Sequence, residues 1–192
     1  MNTFKIILAS QSPRRQELLK SLNYEFKTLH LNIDESYSPL LKENQITEYL
    51  VEQKSKHYGK VEDHTVVITA DTIVWMNEHA LEKPKNSEQA KKMLQDLSGN
   101  SHKVYTSVGF TTKNDFKVFT DCTEVHFLEM NDNEIEFYVN NYKPLDKSGS
   151  YGIQDWIGLA KINKINGSFF TIMGLPTHIV YEYLQNLTFK FM

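Results

Sequence analysis

The chain has 192 residues, 40% of them hydrophobic and 23% charged, with a formal net charge of −3 and a pI near 6.2. That length can bury a sizeable core, and the mildly acidic balance excludes bulk attraction to nucleic acid or an anionic membrane. A single cysteine, Cys122, excludes an intrachain disulfide, and no apolar stretch reaches the roughly 20 residues of a membrane span.

Phe4 to Ala9 reads as a buried strand and Pro13 to Leu22 as an amphipathic helix, joined by Ser10-Gln11-Ser12-Pro13-Arg14-Arg15. Ser12 suits the N-cap and Pro13 the first helical position, where its missing N–H costs nothing. Two arginines in a first turn oppose the helix dipole, and an anion would offset that. Phosphate is the natural one, since guanidinium forks and free N–H groups both match its oxygens. Taken alone, the same stretch also describes a capped surface helix with solvated arginines.

Tyr24 to Leu31 is expected as a second strand, ending ahead of Asp34 and Glu35 in a loop. Ile46 to about Tyr58 has helical spacing and stops at Gly59, with Lys54 and Lys56 in the last turns, where complementing the dipole is their default role. Thr65 to Trp75 is the most strand-like run, and one acid, Asp71, interrupts it. A carboxylate in so apolar a strand must be paired, bound to metal or left at great cost, so Asp71 is a candidate functional group.

Asn77 and Glu78 suit a turn, Ala80 to Pro84 returns, and Ser87 to Leu97 is a helix with core spacing ahead of Gly99. His102 to Thr112 and Val118 to Glu129 read as strands joined at Lys113-Asn114-Asp115, and Asn131 caps a helix over Ile135 to Tyr142. His102 is read as a strand-end polar residue and Cys122 as a packed thiol. Lys143 to Gln154 is a loop whose glycines allow close backbone approach to a ligand. Short strands are expected around Leu159 to Ile162 and Phe169 to Met173, and Gly174-Leu175-Pro176 opens a last helix through Leu184. With no repeat or linker, residues 1–192 are expected to form one α/β domain on a mixed sheet, strands outnumbering helices. The single cysteine, and the absence of an apolar leader ahead of Phe4, predict a cytoplasmic address.

The motifs in order are S-Q-S-P-R-R at 10–15, D-E at 34–35, Lys54, A-D-T at 70–72, K-P at 83–84, H-K-V-Y-T-S at 102–107, D-K-S-G-S-Y-G-I-Q at 146–154 and G-L-P at 174–176. Together they resemble the Maf family of nucleoside triphosphate pyrophosphatases over nearly the whole chain. The resemblance implies an elongated mixed sheet flanked by helices, as in the inosine triphosphatases, with two lobes around a nucleotide cleft, usually in a homodimer. It implies hydrolysis of a nucleoside triphosphate to the monophosphate and pyrophosphate, a pool-sanitising activity. The implied cofactor is a divalent cation, Mg²⁺ first, with Mn²⁺ or Co²⁺ as alternatives.

Under that resemblance Asp71 matches the acid that activates water, and Glu35 with Asp71 the metal ligands. Ser10, Arg15, Lys54 and Lys83 match the phosphate-binding set, to which Arg14 and Lys147 can add charge. Arg14, Thr72 and Gln154 match specificity markers of the branch acting on dTTP and UTP. The branch acting on 7-methyl-GTP carries Trp and Gln at the first two. Glu82 and Ser148 depart from the family's common Gly and Ala. The rival expectations are the same chemistry on another base, or a non-catalytic nucleotide-binding regulator of division and septum formation. A P-loop enzyme is excluded by the lack of G-x-x-x-x-G-K-[ST].

Overall fold

Strand β1 (Lys5–Leu8) turns three buried apolar residues inward and one lysine outward, and runs into helix α1 (Pro13–Ser21) as the Ser-Pro junction requires. In the computed structural model, which describes residues 4–190 and their side chains through 187, β1 is flanked by two parallel neighbours. Ile6 pairs with Phe26 of β2 (Phe26–Thr28) and with Val66 of β3 (Thr65–Met76). Helix α2 (Asn44–Tyr58) precedes β3, which is buried along nearly its whole length. That explains its unbroken apolar reading, since a parallel strand covered on both faces has no polar side to alternate with.

Beyond β3 the chain doubles back on Asn77 and Glu78, both with positive φ (51° and 62°), as a two-residue hairpin turn demands. The returning β4 (His79–Leu81) pairs antiparallel with β3, and α3 (Ser87–Leu97) follows, capped by the Asn86 side chain. Next come β5 (Ser101–Thr111) and β6 (Phe116–Phe127), then α4 (Asp132–Tyr142), opened by a reciprocal capping box between Asn131 and Glu134. A 3-10 turn (Ser148–Ser150) leads to α5 (Trp156–Lys161), β7 (Ile162–Asn166), α6 (Phe169–Met173) and α7 (Thr177–Lys190). The sheet is mixed and seven-stranded, in the order β2-β1-β3-β5-β6-β7 with β4 on β3.

Two compact units are distinguished. Of the described residues, one holds 4–71, 106–121 and 174–190, the other 72–105 and 122–173, so β3, β5 and β6 each contribute to both. The first has Leu8, Leu19, Ile46, Ile68, Phe110 and Leu184 fully buried. The second packs Leu94, Leu97, Val104, Val125, Tyr138 and Ile157 into one cluster.

Several expectations are corrected. Residues 156–161 are helical and the strand begins only at Ile162, while Phe169–Met173 is a helix and not a strand. Five residues, four of them apolar, fit either period, and here Thr171 faces inward while Phe169 and Phe170 stay partly exposed. Among the described residues strands therefore do not outnumber helices. The second strand is only three residues long, and on α2 the aromatic Tyr49, beside the buried Leu50, is exposed. Cys122 is exposed on β6, not packed. No helix among the described residues is long and apolar enough to cross a membrane.

Candidate active site

The β1–α1 junction is tied by its own serines. The Ser12 hydroxyl accepts from the Arg15 N–H at 3.5 Å, and the Ser10 hydroxyl accepts from the Ser12 N–H at 3.2 Å. Arg15 folds back so that Nη1 donates to the Ser10 hydroxyl at 3.5 Å and Nε to the Gly174 carbonyl at 2.7 Å. No acidic residue stands in the first turn of α1, so its positive end carries Arg14 and Arg15. Burial draws Arg15 below its ordinary pKa; Asp71 works against that, Arg14 with it, and Glu35 against. It remains a cation, as guanidinium does in proteins.

Asp71 lies on β3, 8% exposed, and its partner is Lys54. Ile46, Thr47, Leu50, Val51, Lys54 and Ser55 share the buried stripe of α2, which carries the lysine stem inward. Its ammonium donates to Asp71 Oδ1 at 2.6 Å and to Glu35 Oε1 at 2.8 Å, with the Ala70 carbonyl at 3.4 Å. Lys54 is thus a buried cation between two acids, not a solvated complement to the helix dipole. Glu35 is half exposed, in a loop where the Asp34 carboxylate accepts from the Ser36 N–H and hydroxyl, both at 2.9 Å.

Buried hydroxyls hold α2 against the sheet. Thr47 meets Ser107 at 2.6 Å, Ser107 meets Thr120 at 2.7 Å, and the Thr120 hydroxyl donates to Glu48 at 2.8 Å. A Cβ at Gly109 would lie 2.5 Å from Val51 Cγ1 and 2.8 Å from Thr69 Oγ1, so only glycine lets the helix approach this closely. Sequence spacing alone assigns these positions no role. Their signal was a pair of hydroxyl residues, Thr106-Ser107, and a glycine inside an otherwise apolar strand.

The remaining candidates belong to the second unit. Thr72 is half-buried, Lys83 and Gln154 are exposed, and the Lys147 side chain is 14% exposed, beside Asp146 at 2.8 Å and Asp155 at 3.9 Å. The loop 147–154 joins them through backbone: the Ser148 hydroxyl donates to the Thr72 carbonyl and the Gly149 N–H to the Glu82 carbonyl, each at 3.3 Å. The structure therefore brings Ser10 and Arg15 together, Lys54 with Glu35 and Asp71, and Thr72 with the loop of Lys147. His102 is buried, not a strand-end polar group: its Nε2 meets the Tyr151 hydroxyl at 2.8 Å beneath this loop.

The family model described as "Maf: Maf-like protein" matches residues 5–187. The chain belongs to the Maf family. Relatives named "dTTP/UTP pyrophosphatase" agree with it over nearly full length. The Flavobacterium johnsoniae protein is 44% identical over 188 residues, 97% of each chain. That of Flavobacterium psychrophilum is 47% identical over 186 residues, 96% of this chain and 95% of its own. Among solved structures, the Staphylococcus aureus Ham1 protein aligns with 64% of this chain and 71% of its own at 14% identity, TM-score 0.45. Ser148 and Glu82 both anchor the loop: the Ser148 hydroxyl donates to the Thr72 carbonyl, and the Glu82 carbonyl accepts from the Gly149 N–H.

Proposed function

We propose that this chain hydrolyses dTTP and UTP to the monophosphate and pyrophosphate. Family membership and the names of its relatives support the reading, and one observation in the structure carries it. A buried carboxylate on the most apolar strand is held by an ammonium that also meets Glu35, with Arg15 in the field of both acids.

In the first unit Ser10, Arg14 and Arg15 take phosphate oxygens and Lys54 adds charge; in the second, Lys83 and Lys147 are the cations offered to phosphate. Water attacks the α-phosphorus in line with the leaving pyrophosphate. A new P–O bond forms, the α–β bridging bond breaks with its electron pair leaving on pyrophosphate, and Asp71 takes the proton. Base choice falls to Thr72 and Gln154, whose side chains offer both donors and acceptors, with Arg14 as the third marker.

Glu35 and Asp71 fit a divalent cation of the Mg²⁺ kind, which binds through one or two carboxylates plus substrate phosphates. Among the described residues no cluster of three or more His, Cys, Asp or Glu could hold a metal, so an ion held by Glu35 and Asp71 would need further oxygen donors from the nucleotide. Such an ion would neutralise charge on the departing pyrophosphate. The reading also carries a homodimer, to be measured by light scattering, and a cytoplasmic address.

The test is purified protein with Mg²⁺ and a panel of dTTP, UTP, CTP, GTP and 7-methyl-GTP, with the products identified. Pyrophosphate from dTTP and UTP is expected. Orthophosphate as the released product, or tight binding without product, overturns the proposal.

A further inference from the structure

Beneath the loop of Lys147 and Gln154 lies a phenol that no motif singled out. Tyr138, on α4, is fully buried, and its ring stacks on Tyr142 at 5.0 Å. Its hydroxyl accepts from the Gly152 N–H at 3.0 Å and donates to Asp155 Oδ2 at 2.7 Å. The same Asp155 oxygen faces the Lys147 ammonium at 3.9 Å. Asp155 sits directly over Gly152, where a Cβ would collide with the carboxylate, and a Cβ on Gly158 would collide with the Ile153 carbonyl. One hydroxyl thus fixes the backbone two residues before Gln154 and the carboxylate one residue after it, and that carboxylate reaches the loop's first cation.

We propose that Tyr138 and Asp155 are a positioning couple for the reaction, setting the placement of Gln154 and Lys147 together without touching substrate. The proposal rests on the pyrophosphatase reading, because it takes Gln154 as a base contact and Lys147 as a phosphate contact. A purely structural phenol needs one partner when buried. This one spends both its donor and its acceptor on the two sides of a single specificity residue. The two substitutions also separate the roles. Asp155→Asn keeps an acceptor for Tyr138 but removes the charge facing Lys147, whereas Tyr138→Phe releases both ends of the loop.

The experiment compares Tyr138→Phe, Asp155→Asn and the double variant with the unmodified chain, each shown to be folded by its melting curve. It reads KM and kcat for dTTP, UTP and CTP, and affinity for the non-hydrolysable α,β-methylene analogue of dTTP. Tyr138→Phe is expected to raise KM about tenfold with kcat changed far less, and to narrow the preference for dTTP over CTP, because binding shared by ground and transition states is lost. Asp155→Asn is expected to raise KM about threefold and leave the base ranking unchanged. The double variant should fall short of the product of the two single effects, since both act in part through the one Tyr138–Asp155 contact. A folded Tyr138→Phe protein with unaltered KM, ranking and analogue affinity overturns the proposal, as does strict additivity. Should Tyr138→Phe not fold, Asp155→Asn with unaltered KM and analogue affinity overturns it equally. Failure of the pyrophosphatase reading is a distinct result: the unmodified chain then releases no pyrophosphate, and analogue affinity alone reads the couple.

Discussion

The Nε–H of Arg15 donates to the Gly174 carbonyl at 2.7 Å, a bond between residues 159 apart in sequence. It aims the guanidinium that leaves α1, and it gives the G-L-P segment a task that its sequence did not disclose. Gly174 has φ 105°, where a side chain is strained. Gly174→Ala is therefore expected to cost about 1–3 kcal/mol in urea unfolding. On the proposed reading it should also lower kcat/KM for dTTP by roughly 10–100-fold at temperatures where the variant is fully folded, because Arg15, proposed to hold phosphate, is misplaced. Stability lost with kcat/KM intact would show that Arg15 is aimed by something else.

Lys54 stands between Asp71 and Glu35, so removing it strands a carboxylate that is almost wholly buried. Lys54→Met should destabilise the fold by about 3 kcal/mol, and adding Asp71→Asn should restore most of that, because the unpaired charge is the source of the cost. Paired urea titrations decide the point. Equal stability of the single and double variants would contradict it.

On the proposed mechanism Asp71→Asn keeps an acceptor toward Lys54 while losing the base. Turnover should fall by roughly 10²–10⁴-fold with KM little changed, as measured by pyrophosphate release under saturating dTTP.

His102 gives the fold a pH dependence of its own. Burial, with His126 adding to it, lowers its pKa from 6.5 to about 3. Between those values the unfolded chain binds a proton that the folded chain excludes, so stability rises with pH through this window. The contribution is complete above pH 6.5 and is lost as pH falls toward 3. Its slope is about 1.4 kcal/mol per pH unit mid-window, and His102→Gln should flatten unfolding free energies measured across it by that amount.

Much of this was legible in the chain. Ser12 as cap, Pro13 as first helical residue and Asp71 as a paired acid follow from local chemistry, and all three stand as expected. Lys54 was readable too, since it falls three and four residues after Val51 and Leu50 on the apolar stripe, but its place near a helix end suggested a dipole role. What could not be read are bonds closed by the fold alone: Arg15 to Gly174, Ser148 to Thr72, and Tyr138 to both Gly152 and Asp155. These depend on which carbonyl or carboxylate the topology delivers, and no periodicity encodes that. The helices at 156–161 and 169–173 were missed because their apolar runs are shorter than two turns.

In the proposed reaction water attacks the α-phosphorus beside Asp71. Hydrolysis of dTTP in ¹⁸O-labelled water, followed by mass spectrometry of both products, tests it directly. Label is expected in thymidine monophosphate and none in pyrophosphate. Label in pyrophosphate, or in orthophosphate, would contradict it.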